Sequence, residues 1–216
     1  ILNHELSTRQ PLILYASHPD FQQTNVVRGI SEGVGGVTEA FKRRIVMPLA
    51  GPLAQTDHVL GHELVHAFQY DMAGIRGPIS GGSAGMFKLP LWFVEGMAEY
   101  LSVGPYDPHT SMWMREAVDR DKFPTITKLN SPRYFPYRYG QALWAYVATN
   151  YGDDMVEKIF REASKSGNAE EALWKWTGIS ADSLSVLWKE SLIESKKYVK
   201  EKTNRATEYG ELFLVD

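Results

Sequence analysis

From Leu53 to about Met72 the apolar residues recur at helical spacing, and Gly74 stands where a helix would close. Inside that run His62-Glu63-Leu64-Val65-His66 has the pattern H-E-x-x-H. On a helix, positions i and i+4 lie about 6 Å apart along the axis and about 40° apart in rotation. Both imidazoles can therefore aim at one point, as a tetrahedral zinc demands. Glu63 is rotated by about 100° from His62, so it flanks such a point rather than binding there. From that position its carboxylate can take a proton from an attacking water. An ordinary amphipathic helix, with Val59, Leu60, Leu64 and Phe68 on its apolar face, accounts for the same five residues. A third ligand has to decide.

The chain contains no cysteine, so thiolate ligands and disulfides are both excluded, and only His and carboxylates remain as strong metal ligands. The extended pattern H-E-x-x-H-x-x-G-x-x-H fails, because Gln69 replaces the glycine and Met72 the last histidine. A glutamate from a second helix is the other option. Pro90 is placed to open a helix running to Val103, and its stretch WFVEGMAEY offers Glu95 and, one turn later, Glu99. Two carboxylates at that spacing can divide the work, one binding metal and one orienting a ligand histidine through its free ring N–H. His58 drifts off the face of His62 and reads as a near-surface neighbour. His4, His18 and His109 carry no evident role.

With HELVH followed by WFVEGMAEY, the chain resembles the gluzincin metallopeptidases and, within them, the peptidase MA-like domains. The resemblance implies a zinc-dependent peptidase with one Zn2+ per chain, bound by His62, His66 and Glu95. Glu63 is then the general base and acid, and Glu99 supports His62. The stretch between His66 and Glu95 is longer than in the aminopeptidase branch, and the excess falls in GIRGPISGGSAG at 74–85. PYRYGQALWAY at 136–146 is similar to a P-Y-x-x-G segment of that branch, whose tyrosine steadies the oxyanion; this points to Tyr137, with Tyr139 as the neighbouring alternative. GVTEA at 36–40 is weakly similar to G-x-M-E-N and would make Glu39 the holder of a substrate amine, although Thr38 and Ala40 depart from that pattern. The expected substrate is a peptide or protein. A catalytically silent peptide-binding scaffold and a zinc hydrolase of non-peptide amides are the rival expectations. Members of the group often belong to longer exported bacterial proteins, sometimes beside a β-propeller. An exported chain with further domains is therefore expected.

The surrounding sequence reads as one α+β domain over 1–216: a strand and helix part at 1–50, zinc-binding helices at 51–104, a helical part at 105–204 and a tail or linker at 205–216. Pro11–Ser17 reads as a short buried strand, His18–Ile30 as a helix, 33–36 as a glycine turn, and Phe41–Leu49 as a second strand. The Lys and Arg of that second strand favour a sheet edge, where it could also pair with extended peptide. Helices are expected at about 108–120, 135–151, 152–166, 168–177 and 180–202, punctuated by Gly152, Gly167 and Gly178. A net charge of −3 with no basic stripe argues against nucleic acid. No apolar run approaches the roughly 20 residues that span a bilayer.

Overall fold

A computed structural model describes residues 1–24, 29–75, 85–204 and 210. Its first part is a three-stranded sheet of β1 (Leu12–Tyr15), β2 (Val37–Glu39) and β3 (Arg44–Pro48), in the order β1-β3-β2. Strand β3 runs parallel to β1, with Leu12 opposite Ile45, and antiparallel to β2, with Glu39 opposite Arg44. A short helix α1 (His18–Gln22) connects the first two strands, capped by Ser17, whose side chain accepts from the Asp20 amide. The molecule is α+β, with the sheet near the N-terminus and helices after it.

The sheet differs from the sequence expectation in three ways. The strand expected at an edge is the central one. Lys42 and Arg43 lie in the turn before β3, Arg44 is neutralised by cross-strand Glu39, and Ile45, Val46 and Met47 are fully buried. The edges belong to β1 and to β2, which is too short to show a period and sits directly behind the glycine turn. Strand β1 is half exposed rather than buried, since Leu12 and Leu14 point outward. Helix α1 stops at Gln22, and residues 25–28 of the longer helix expected there lie outside the described residues. So do most of the 74–85 loop and nearly all of the 205–216 tail.

Helix α2 (Leu53–Met72) packs on β2 and β3 and carries the H-E-x-x-H stretch. Its C-terminal end is tied to the N-terminal segment and to the β2–β3 turn by one residue. Asp71 accepts from the Ser7 amide (3.0 Å) and hydroxyl (2.5 Å) and from Arg43 (2.6 Å), and it pairs with His4 (2.8 Å).

The main core lies beyond α2, in α3 (Leu91–Val103), α4 (Pro108–Asp119), α5 (Pro136–Tyr151), α6 (Asp154–Ser166), α7 (Ala169–Thr177) and α8 (Ala181–Lys202). Trp92, Phe93, Trp144, Phe160 and Trp188 fill it, and all are fully buried. Asp107, Asn168 and Ser180 cap α4, α7 and α8 through side-chain oxygens. Each of α2 to α8 starts and stops within two residues of its expected bounds.

One crossing positions the site. A Cβ on Gly96 of α3 would stand 2.3 Å from the Gly140 Cα of α5, and one on Gly140 would stand 2.0 Å from the Trp92 carbonyl oxygen. The two helices meet backbone to backbone because both residues lack a side chain. Among the described residues no helix is long and apolar enough to cross a membrane.

Candidate metal centre

Helix α2 presents His62, Glu63 and His66 on its buried face, toward α3. Helix α3 returns Glu95 and Glu99. Glu95 Oε2 lies 3.0 Å from His62 Nε2 and 3.2 Å from His66 Nε2, and the two nitrogens are 3.1 Å apart. These three atoms form a nearly equilateral triangle. A tetrahedral zinc with bonds of about 2.0–2.1 Å has ligand–ligand edges of roughly 3.3–3.4 Å, so the triangle is one face of such a site to within a few tenths of an ångström.

The ring orientations support the same reading. Gln69, fully buried, donates from Nε2 to the Val94 carbonyl (2.9 Å), which turns its Oε1 toward His66 Nδ1 at 2.8 Å. An amide oxygen only accepts, so Nδ1 carries the proton and Nε2 offers a lone pair. Two imidazole nitrogens and a carboxylate oxygen thus face one point, where one proton can serve only part of the set and a cation can serve all of it. The residues present fit a divalent metal held by His62, His66 and Glu95.

Glu99 sits on the far side of His62. Its Oε1 lies 3.2 Å from His62 Nδ1, close enough for an ion pair but off the line of a hydrogen bond, and 3.1 Å from His58 Nε2. Its Oε2 accepts from Arg138 Nη1 at 3.3 Å, and the same nitrogen reaches Asp107 at 3.1 Å. His58, His62 and Glu99 form a second group of donor atoms. Arg138, shared with Asp107, already places a cation beside Glu99, so this group serves better to hold His62 than to take a second cation.

Charge follows from these contacts. Burial pulls the His62 imidazolium down, but the hydrogen bond to Glu95, the nearby Glu99 carboxylate and the charges of Glu95 and Glu63 outweigh it and raise its pKa to about 9. Burial pushes Glu95 up, while His62 and His66 hold it well below the usual carboxylate range. Glu99 is likewise pushed up by burial and brought down to about 2 by His58 and His62. Tyr137 stacks on His62 with ring centroids 5.7 Å apart, near the Glu95 carboxylate. Burial and the neighbouring carboxylates raise its pKa well above the ordinary phenol value, so its hydroxyl keeps its proton.

Glu63 is held from the sheet side. Thr38 Oγ1 on β2 lies 2.7 Å from Glu63 Oε2 and 2.7 Å from the Glu63 carbonyl, and its single proton serves one of them at a time. A Cβ on Gly36 would come within 2.8 Å of Glu63 Cγ. The glycine turn therefore lets the chain pass directly over this carboxylate. A cleft of about 360 Å³ opens beside His62 and Glu63, lined also by Gly35, Phe135, Tyr137 and Arg138. A larger hollow of about 630 Å³, around Leu91, Asn130 and Asn168, contains none of these groups.

Two expected residues do not join the site. Glu39 has its oxygens engaged by Lys42 (2.7 Å) and Arg44, because it stands opposite Arg44 across the strand pair. Tyr139 is a buried core residue against Phe123, Tyr134 and Trp113, which leaves Tyr137 as the tyrosine at the cleft. Sequence reasoning missed Thr38, Gln69 and Arg138. Gln69 was the most accessible of these, since it lies one turn after His66 on the same face. Thr38 becomes visible only once β2 is recognised.

Comparison with curated proteins and with solved structures finds no match. The match that exists is at the level of a family and runs from β2 to α8, over every element that builds this centre. Through residues 37–197 the chain belongs to the family of unknown function DUF6055.

Proposed function

We propose that this chain is a zinc metallopeptidase domain of gluzincin type that hydrolyses peptide bonds. One observation carries the reading: the triangle of His62 Nε2, His66 Nε2 and Glu95 Oε2, with the Glu63 carboxylate beside it. When bound there, zinc would act as a Lewis acid toward the scissile carbonyl and make water acidic near pH 7.

The chain's own groups supply the remaining chemistry. Glu63 takes the proton of the attacking water and returns it to the leaving amine. When the Thr38 proton lies on Oε2, Oε1 is left to do the exchange. Tyr137, protonated at neutral pH, donates to the oxygen on which negative charge develops. Glu99, held between Arg138 and His58, keeps His62 turned so that Nε2 faces Glu95. The free edge of β2 passes directly beside Glu63, so an extended substrate can add to the sheet there by backbone pairing.

Elemental analysis after zinc reconstitution should find about one zinc per chain. A diverse peptide mixture, sequenced after incubation, should then contain new termini. Glu63→Ala should keep the zinc and lose the cleavage, whereas Tyr137→Phe should lower kcat with zinc and fold intact. Absence of metal would sink the reading. Bound zinc with no cut peptides would favour the scaffold or the non-peptide amidase.

A further inference from the structure

A second hollow, of about 520 Å³, lies between the end of α4 and the segment before α5. Arg115, Arg120, Lys122 and Arg133 line it, and Glu116 is the one carboxylate among its lining residues. Glu116 is already paired with Arg120. Among the described residues, Arg115, Lys122 and Arg133 have no ion-pair partner. On a chain whose net charge is −3, this is a local concentration of uncompensated positive charge.

The hollow is joined to the catalytic cleft by aromatic side chains. Trp113, on its wall, packs on Phe135 at 5.6 Å. Phe135, on the wall of the cleft, packs on Tyr137 at 5.2 Å, and Tyr137 stacks on His62 at 5.7 Å. Trp113 and Phe135 are 39% and 42% exposed, so the bridge between the two depressions is an open apolar surface. Exposed aromatics occurring singly need no explanation, but a contiguous pair leading from a cation cluster to the candidate metal centre is a track.

From this we infer that the α4–α5 hollow is a substrate exosite, binding acidic side chains of the same peptide whose scissile bond lies at the metal centre. The inference rests on the peptidase reading for the cleavage step, but not for the binding. Three ring-to-ring steps of under 6 Å separate Trp113 from His62, which an extended peptide spans in roughly four to five residues. Apolar side chains of the intervening residues would lie on Phe135 and Trp113. The cations are largely exposed, so they act by attraction that salt screens and add modest affinity each.

The test uses two fluorescein-labelled dodecapeptides that differ only in one Asp-Glu pair replaced by Asn-Gln. Fluorescence anisotropy with the zinc-loaded Glu63→Gln protein measures binding without turnover. The acidic peptide should bind roughly three- to tenfold more tightly at low salt, and the difference should shrink in 0.5 M NaCl, as expected for exposed ion pairs at about a 4 Å Debye length. The double variant Lys122→Gln/Arg133→Gln, at two exposed positions, should abolish the preference. Equal binding of the two peptides, or a preference that survives the double variant, overturns the exosite.

Cleavage by the unsubstituted chain separates the two readings. Moving the acidic pair along the peptide should give a maximum in kcat/KM at roughly four to five residues from the cut bond. Acid-selective binding with no cleavage of either peptide leaves the exosite standing and overturns the peptidase. Cleavage indifferent to the acidic pair does the reverse.

Discussion

Gln69 shows how one side chain fixes the tautomer of a neighbouring histidine. Its amide is anchored by the Val94 carbonyl, so its oxygen has one orientation and His66 has one tautomer. Gln69→Leu removes that constraint without adding a charge. Zinc affinity should fall by about ten- to a hundredfold, measured by competition with a chromophoric chelator, while Gln69→Glu, which keeps an acceptor, should recover most of it. Thr38 acts on the other side of the cleft, through Glu63. Thr38→Val preserves shape and removes the hydroxyl, so kcat should fall about tenfold with zinc content unchanged, and Thr38→Ser should restore it. An unaltered kcat in Thr38→Val would assign the 2.7 Å contact to packing alone. Neither residue stood out in the sequence. His62, Glu63, His66, Glu95 and Glu99 did, because helical spacing alone puts them on two faces, but partners from other elements are invisible until those elements are placed.

Helices α3 and α5 are held together by Gly96 and Gly140, and this contact carries Tyr137 and Arg138 to the cleft. Gly96→Ala gains up to about 1 kcal/mol of helix propensity. The new Cβ, 2.3 Å from the Gly140 Cα, must force two backbones apart, and overpacking of that kind costs about 1–3 kcal/mol or more. The clash wins. Urea unfolding should find the variant less stable, and peptide turnover should fall further than stability alone explains, since the crossing sets the distance from Tyr137 to His62. The tie at Asp71 is a second joint between elements. Burial raises the Asp71 pKa, but hydrogen bonds from Ser7 and His4 and the Arg43 charge bring it below the ordinary aspartate value. Its contribution is therefore present above the unfolded-state value and is lost as the pH falls through the depressed folded one. Asp71→Asn should cost about 1–3 kcal/mol at neutral pH and flatten the acid limb of the stability profile. An acid limb identical to that of the parent chain would assign that limb to other carboxylates. The helices α2 to α8 are readable because caps and glycines bracket them; the sheet is not, because Lys42, Arg43 and Arg44 look like one charged strand in sequence while only Arg44 belongs to β3, with Glu39 to offset it.

The molecule has two unequal apolar cores. A large one is built from α3–α8, and a small one, with Phe21, Ile30 and Val46 at its centre, sits at the sheet. Helix α2 lies between them, and its buried face is unusually polar, with His62, Glu63, His66, Gln69 and Asp71 all nearly inaccessible. That composition explains why the division of labour was readable from the motifs while the docking of the sheet was not: polar buried residues announce chemistry but give no apolar pattern from which to infer packing. It would also make a metal bound at the triangle a structural cross-link. Zinc held by α2 and α3 would join the sheet side of the molecule to the large core with three bonds. A ligand that binds only the folded chain stabilises it by about 2.7 kcal/mol at a concentration one hundred times its Kd. For a chain of this size that corresponds to a rise in Tm of roughly 5–10 °C. Differential scanning fluorimetry of the metal-stripped chain with added zinc should find that rise, and Glu63→Ala should retain it. Glu95→Ala should lose most of it. A rise undiminished in Glu95→Ala would transfer the third ligand to another carboxylate, and no rise in the parent chain would remove zinc from the triangle altogether.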